Sequence, residues 1–449
     1  MVQYNTRKNN FMTPADEVYD VVMVANKNGQ VVTTNNRFPV DAIIGGSSVY
    51  NETGNLSGSV DAFGRLRVSS PYTVFDNSFR SGEDTRIWDT QNIGTASTTW
   101  IQNESSIAMD IGTTTGDTCV RETTRVFQYQ PGKSLLTLNT FVLESAKTNL
   151  TQRVGFFNEK NGIFLELVDD IVYWTKRSYT TGIAVDTQVA QSDWNVDKLD
   201  GTGPSGITLD ISKAQIQWID LEWLGVGSVR TGFVINGQFV ICHIFHHANT
   251  VDSVYMTTAS LPIRYEIENT GMTASSSRLK HICNSLMSEG GWNPIVQTRS
   301  AGTDLVGLPL SQTVYKPLIS IRLKSQYARD GAVVVPTTMN LYGLQSNAFG
   351  YKIIQHPTLT GGTWVSAGTE STVEYNVTAT AVSGGRDMVQ GLFMGGDKGS
   401  ALQMDLRDNN HQFQLRRDID GTRHIFCIAA IATVNNNYAI GSMNWSEFN

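Results

Sequence analysis

Side chains two residues apart on a β-strand share one face about 6–7 Å apart. In Gln217-Trp218-Ile219-Asp220-Leu221-Glu222-Trp223-Leu224-Gly225, this places Trp218, Asp220 and Glu222 on one side and Ile219 and Leu221 on the other. Two carboxylates at that spacing can share acid/base work on a glycosidic bond, and the flat rings of Trp218 and Trp223 can stack on a sugar. The same pattern also suits outward polar residues on a half-buried strand, and strand tryptophans are often core. Two other groups could hold a metal. His243 and His247, in Cys242-His243-Ile244-Phe245-His246-His247, fall on one face but about 13 Å apart if the strand runs straight. They share an ion only if the strand ends near Phe245, or if copies meet around a threefold axis. Asp169 and Asp170, near Glu166, could bind Ca²⁺, but Asp-Asp also simply favours a turn.

The segment from Arg153 to His247 must position these groups. Apolar runs Val154 to Phe157 and Ile163 to Leu167 meet at Asn161-Gly162, which predicts a tight primed turn. Asp169-Asp170 turns the chain into Ile171 to Trp174. The pattern returns in Ile216 to Gly225 and in Gly232 to Ile235, which Asn236-Gly237 turns into Gln238 to Ile241. With Ser105 to Ile111, Asp117 to Tyr129 and Ser134 to Leu143, these strands predict a two-sheet sandwich. Residues 279–287 carry apolar side chains at three- and four-residue spacings, which suit a helix, although the flanking text suits a strand.

The 449 residues allow more than one core. Charged residues are only 17% and the net charge is −7, without clustered Lys and Arg, which argues against a nucleic-acid binder. The 4 cysteines are widely spaced and read as free thiols. The N-terminus lacks a signal peptide's apolar core, and no apolar run approaches the ~18 residues of a membrane span, so the expectation is a chain made in a cytoplasm. No phosphate loop, nucleophile triad or zinc-protease helix is present, so no catalytic residue and no cofactor are expected.

The predicted class is all-β in three parts. Residues 1–60 read as an extended docking arm, too poor in apolar residues to bury a core, with one hairpin of Val21 to Val24 against Val31-Val32. Residues 61–294 hold the sandwich, starting with a short strand over Phe63 to Val68 and closing at Gly290-Gly291-Trp292-Asn293-Pro294. Residues 295–449 form a second β domain, with strands Leu318 to Lys324, Ala332 to Val335, Met339 to Leu344, Thr372 to Ala379, Met388 to Phe393, Gln412 to Arg416, His424 to Ala429 and Asn437 to Met443.

Aromatic hairpin, polar loop and a long strand with a Leu-Gly exit resemble the concanavalin-type jelly roll. Ile219-Asp220-Leu221-Glu222-Trp223-Leu224-Gly225 is similar to the catalytic strand of laminarinase-type β-glucanases. That resemblance implies a helper role for Asp220 and an acid/base role for Glu222, while Trp218 stands where the nucleophilic glutamate belongs. It therefore implies a sugar-contacting face without catalysis. Asp61 to Ser69, Phe127 to Ser134, Lys198 to Gly206 and Ser288 to Pro294 resemble virion structural proteins of tailed bacteriophages of the marine and cyanophage type. This implies a non-enzymatic virion component, made in the host cytoplasm. Its arm would add strands to other virion proteins, and its open sheet edges would be covered in a homotrimer. The alternative is a carbohydrate-binding receptor module or degraded glycanase on the same fold, with a host surface glycan as ligand.

Overall fold

The structure, a computed structural model, describes residues 71–293, 295–327, 331–396, 401–407 and 412–448, together with the backbone of four short strands before residue 71. The chain divides into two units, Met1–Ser59 and Val60–Asn449. In the first, Lys8–Met12 pairs with Val18–Val22, and Ile43–Ile44 with Ser47–Ser48. Val21 and Val22 thus pair with Asn9 and Lys8, while their expected partner Val31-Val32 lies outside the described residues. The rest of that hairpin, and the strand expected over Phe63 to Val68, lie outside the described residues.

The second unit is built from antiparallel strands, and no α-helix occurs among the described residues. Its first sandwich opposes two sheets. One runs Gln238–Phe245, Val229–Ile235, Gln215–Leu221, Ser134–Val142, Ser277–Glu289, Ser106–Ile111 and Ser97–Ile101, with Tyr72–Ser78 also on Ser277–Glu289. The other runs Val185–Ala190, Ile171–Ser178, Gly162–Val168, Leu150–Phe157, Ile263–Asn269, Thr118–Thr123 and Trp88–Ile93. The chain crosses repeatedly between the two, which is the concanavalin-like jelly-roll layout. Between the sheets lie Trp88, Phe156, Trp174, Ile219, Phe233 and Tyr265, each fully buried. Burial of each such side chain stabilises by roughly 2–3 kcal/mol.

Local chemistry explains two turns, one formed as expected and one not. Asn236 and Gly237 do form a two-residue turn, with φ of 52° and 76°. At Asn161-Gly162 the expected tight turn is replaced by a four-residue loop, because Phe157 pairs with Gly162. The Asn158 side-chain oxygen accepts hydrogen bonds from the Lys160 and Asn161 amides, so the asparagine that shapes the loop stands at its start. Gly162 already belongs to the strand, at φ 147° against Phe157, where a Cβ would collide. The segment with helix-like spacing, Ser277–Glu289, is a strand in the middle of its sheet. All four cysteines are free.

The second sandwich has its own core, including Leu318, Ile321, Met339, Phe349, Ile428 and Trp445. One sheet joins Val296–Gly302, Tyr438–Phe448, Val333–Gly343 and Leu402–Asp405, with Leu308–Pro309 on Tyr438–Phe448. The other joins Val365–Ser366, Val373–Asn376, Lys316–Leu323, Phe426–Ala432, Ala348–Gln355 and Arg386–Met394. The two strands expected over Ala332 to Val335 and Met339 to Leu344 are one, with a bulge at Pro336. Gln412 to Arg416 is not a strand. Its Leu415 N–H donates to Val334 O, and just past its end the Arg417 N–H donates to Thr124 O in the first sandwich.

Candidate functional site

The strand Gln215–Leu221 is covered on both faces, so Asp220 and Glu222 are not the outward polar residues that alternation suggested. Trp218 is 1% exposed, and Asp220 and Glu222 are 0% exposed. Trp218 meets Phe239 edge-on at 5.5 Å and lies over Gly232, where any Cβ would strike its ring. Asp220 is opposite Arg230 in the register and accepts from its Nε at 3.0 Å. Glu222, just past the strand end, accepts from the Tyr129 hydroxyl at 3.1 Å. Burial, with the Glu222 charge, pushes the Tyr129 hydroxyl well up, so it remains a donor at neutral pH. Trp223 is half-buried and donates to Met256 O at 3.1 Å. Of the four residues predicted to meet sugar, Trp223 alone keeps exposed surface.

The metal-capable groups singled out in the sequence stay apart. His243 accepts from the Asn195 amide at 3.3 Å through Nδ1, whereas His247 donates from Nδ1 to Gly227 O at 2.6 Å and stacks on Tyr255 at 3.8 Å. Asp169 and Asp170 form an exposed two-residue turn, and Asp169 accepts from the Asn149 amide at 2.6 Å. Glu166 is buried and held elsewhere, by Arg153, Thr175 and Gln188.

Burial brings both His243 and His247 down to about 4. An unfolded histidine titrates near ~6.5, so between that value and about 4 the unfolded chain binds more protons. The stability these groups hold is therefore complete above ~6.5 and is lost as pH falls toward 4. We expect a melting temperature that declines over that window, with a shallower decline in His247→Phe. A melting temperature constant from pH 7 to 4.5 would contradict it.

A concavity that a ligand can enter lies where the two sandwiches meet, with a volume of about 330 Å³. Thr73, Asp76, Arg86 and Arg125 line it from the first sandwich, and Gln355, Arg386, Met388, Gln412 and Arg416 from the second. Arg125 lies over the rings of Phe75 and Phe127 at 5.3 and 5.2 Å, and an Arg416 guanidinium nitrogen donates to Arg86 O. Both arginines are thereby oriented by neighbours in and beside the wall of the cleft. Arg386 is exposed at the start of its strand. Four arginines and one carboxylate, Asp76, thus line the cleft, with Arg86 ion-paired to Asp84 at 2.9 Å, in a chain whose net charge is −7. Such a site suits a planar anion, held bidentate by guanidinium, with amides and hydroxyls left for its polar substituents. Sequence reasoning missed it because its residues come from widely separated segments, none of which forms a motif.

No family model matches the chain, and no curated protein matches it. Among solved structures it is similar to a Bacteroides ovatus mixed linkage glucan GH16 protein in complex with a product, at 9% identity over 47% of this chain and 99% of the other, TM-score 0.34. It is also similar to a legume lectin-like domain from Entamoeba histolytica, at 11% identity over 50% and 100%, TM-score 0.29. Peanut lectin aligns at 9% identity over 49% and 98%, TM-score 0.29.

Proposed function

We propose that this protein is a non-catalytic carbohydrate-binding protein that takes an acidic saccharide in the cleft between its sandwiches. The observation that carries this reading is the lining itself, four arginines with Gln355, Gln412, Thr73 and Asp76 around about 330 Å³. That volume is at the lower end of ligand clefts, ~300–1,000 Å³, and suits one or two sugar units. Guanidinium groups take the carboxylate, and the amides, hydroxyl and Asp76 take sugar hydroxyls. Absence of catalysis is supported by the strand Gln215–Leu221, where Trp218 replaces a nucleophile and the carboxylates of Asp220 and Glu222 are buried against Arg230 and Tyr129. A retaining mechanism needs two carboxyl groups about 5–5.5 Å apart around an open sugar site.

The test is calorimetric titration of the full chain with uronic-acid and sialylated oligosaccharides, and with neutral glucans as the comparison. Arg386→Ala, an exposed substitution with little expected effect on folding, should weaken acidic-saccharide binding at least about 10-fold, the loss of a charge-assisted pair worth roughly 1.5–3 kcal/mol. Equal binding of neutral and acidic sugars, or no binding of either, overturns the assignment. The particle setting stays as the sequence resemblance implies it. A copy anchored to a tailed-phage virion through residues 1–60, in trimers, would present this cleft to a host surface glycan. Mass spectrometry of purified particles and light scattering of the isolated protein address those two points.

A further inference from the structure

His356 lies far in the sequence from Asp418 and His424, and the fold brings the ligand atoms of all three within 4.8 Å of one another. Sheet register does most of this. Gln355 is opposite Phe426, and just beyond that pair the His356 amide donates to Ile425 O at 2.6 Å, so the two histidines leave adjacent strand ends together. The connection before His424 is fastened by a bridge between Arg417 and Arg423 and by hydrogen bonds from Asp418 N–H to Thr422 O and from His424 N–H to Arg416 O, each 2.9 Å. That brings the Asp418 carboxylate back to 2.7 Å from His424 Nε2. The imidazoles of His356 and His424 stack with centroids 4.0 Å apart and planes 27° from parallel.

Three features set this cluster apart. The two imidazoles are packed face to face, and a carboxylate stands beside them. His424 Nδ1 is buried without a hydrogen-bond partner. His356 holds φ of +53° immediately before Pro357, a left-handed conformation that a histidine rarely adopts.

We propose that His356, Asp418 and His424 form a binding site for one first-row divalent cation of the zinc class. Two imidazoles and one carboxylate are a complete protein ligand set for such an ion when the remaining coordination positions are left to water or a ligand. Tetrahedral bonds of ~2.0–2.1 Å require ligand atoms about 3.3 Å apart, so the Asp418–His424 contact opens by several tenths of an ångström and His356 closes. In the free protein His424 Nε2–H donates to Asp418. With the ion on Nε2 that proton sits on Nδ1, and the carboxylate exchanges a hydrogen bond for a metal bond. The bound ion also ties the connection that carries Arg416 to the strand end that carries Gln355, and both of those residues line the cleft.

The test is titration of the untagged full chain with Zn²⁺ alone, in buffer freed of other metals, and with Co²⁺ to read coordination by visible absorption. One ion per chain with micromolar or tighter affinity is expected, giving the absorption of Co²⁺ with nitrogen ligands in a low-coordinate site. His356→Asn preserves a residue that tolerates positive φ, and Asp418→Asn preserves shape. Each should weaken Zn²⁺ binding at least about 30-fold, in line with the loss of a ligand, while metal-free melting temperatures stay close to that of the parent. No stoichiometric site, or unchanged affinity in either variant, overturns the proposal. Because the readout is the ion itself, the result is independent of whether the cleft takes a saccharide.

Discussion

Replacing Trp218 with glutamate is expected to destabilise the protein by at least about 4 kcal/mol and to produce no glycosidase. The substitution restores a carboxylate two residues from Asp220 and four from Glu222, which is the spacing of a retaining enzyme. The site around it is closed. Trp218 is 1% exposed, packed on Phe239 and lying over Gly232, so removing it empties a large ring's volume and puts a charge there. Large-to-small changes of this kind cost ~3–5 kcal/mol, and an unpaired buried carboxylate adds to that. Trp218→Phe, which keeps an aromatic ring, should cost only about 1–2 kcal/mol. Urea unfolding with a reducing-sugar assay on β-glucans checks both points. A folded Trp218→Glu protein that releases sugar would show that the strand retains a working active site.

The second large effect is expected at Arg153, on the outer face of the opposite sheet. Its guanidinium Nε is 3.0 Å from Glu166, and its Nη1 contacts Glu266 and lies 2.6 Å from Glu268. Arg264 bridges Glu266 to Glu122, and Arg417 reaches the other Glu122 oxygen from the second sandwich at 2.7 Å. Burial alone would raise the Glu266 carboxyl, but Arg264 and Arg153 bring it to about 2. That depressed value stabilises the fold above the unfolded pKa of ~4.3, and the contribution is lost as pH falls toward 2. Arg153→Leu leaves the carboxylates around it short of positive charge and should cost roughly 3–5 kcal/mol at pH 7. The folded pKa of Glu266 then rises, so the variant's deficit grows as pH rises through it and narrows below ~4.3. Unfolding free energies at pH 7, 5.5 and 4.5 should converge between variant and parent. A difference independent of pH would assign Arg153 a packing role instead.

Elements whose chemistry is local were legible in the sequence. Asn236-Gly237 needs nothing beyond its own φ preferences, and alternation places Ile219 and Leu221 toward the core. Features decided by distant chain were not. Leu279, Ile282, Cys283 and Leu286 have helical spacing, but Ser277–Glu289 has neighbouring strands on both sides, and those partners override the spacing. Val296–Gly302 is polar and largely exposed, an edge strand with too little apolar alternation to stand out. At the site, sequence gave the right face for Trp218, Asp220 and Glu222, but could not show that the face is covered. The cleft was illegible because Arg125, Arg386 and Arg416 acquire a common meaning only when two sandwiches meet.

Strand order also decides when this protein can fold during synthesis. Ser277–Glu289 pairs with Ser134–Val142 on one side and with Ser106–Ile111 and Tyr72–Ser78 on the other. Tyr438–Phe448 likewise joins Val296–Gly302 to Val333–Gly343. Each sandwich is therefore closed by the strand its ribosome makes last. At ~5–20 residues per second, the strand ending at Val142 waits roughly 7–30 s for the partner that seals it, and earlier strands wait longer, with backbone edges open to other nascent chains. A message broken before codon 277 does not yield a smaller working protein. It yields half-sheets that can stick to one another, so complete translation and protection of the emerging chain are conditions for a soluble product.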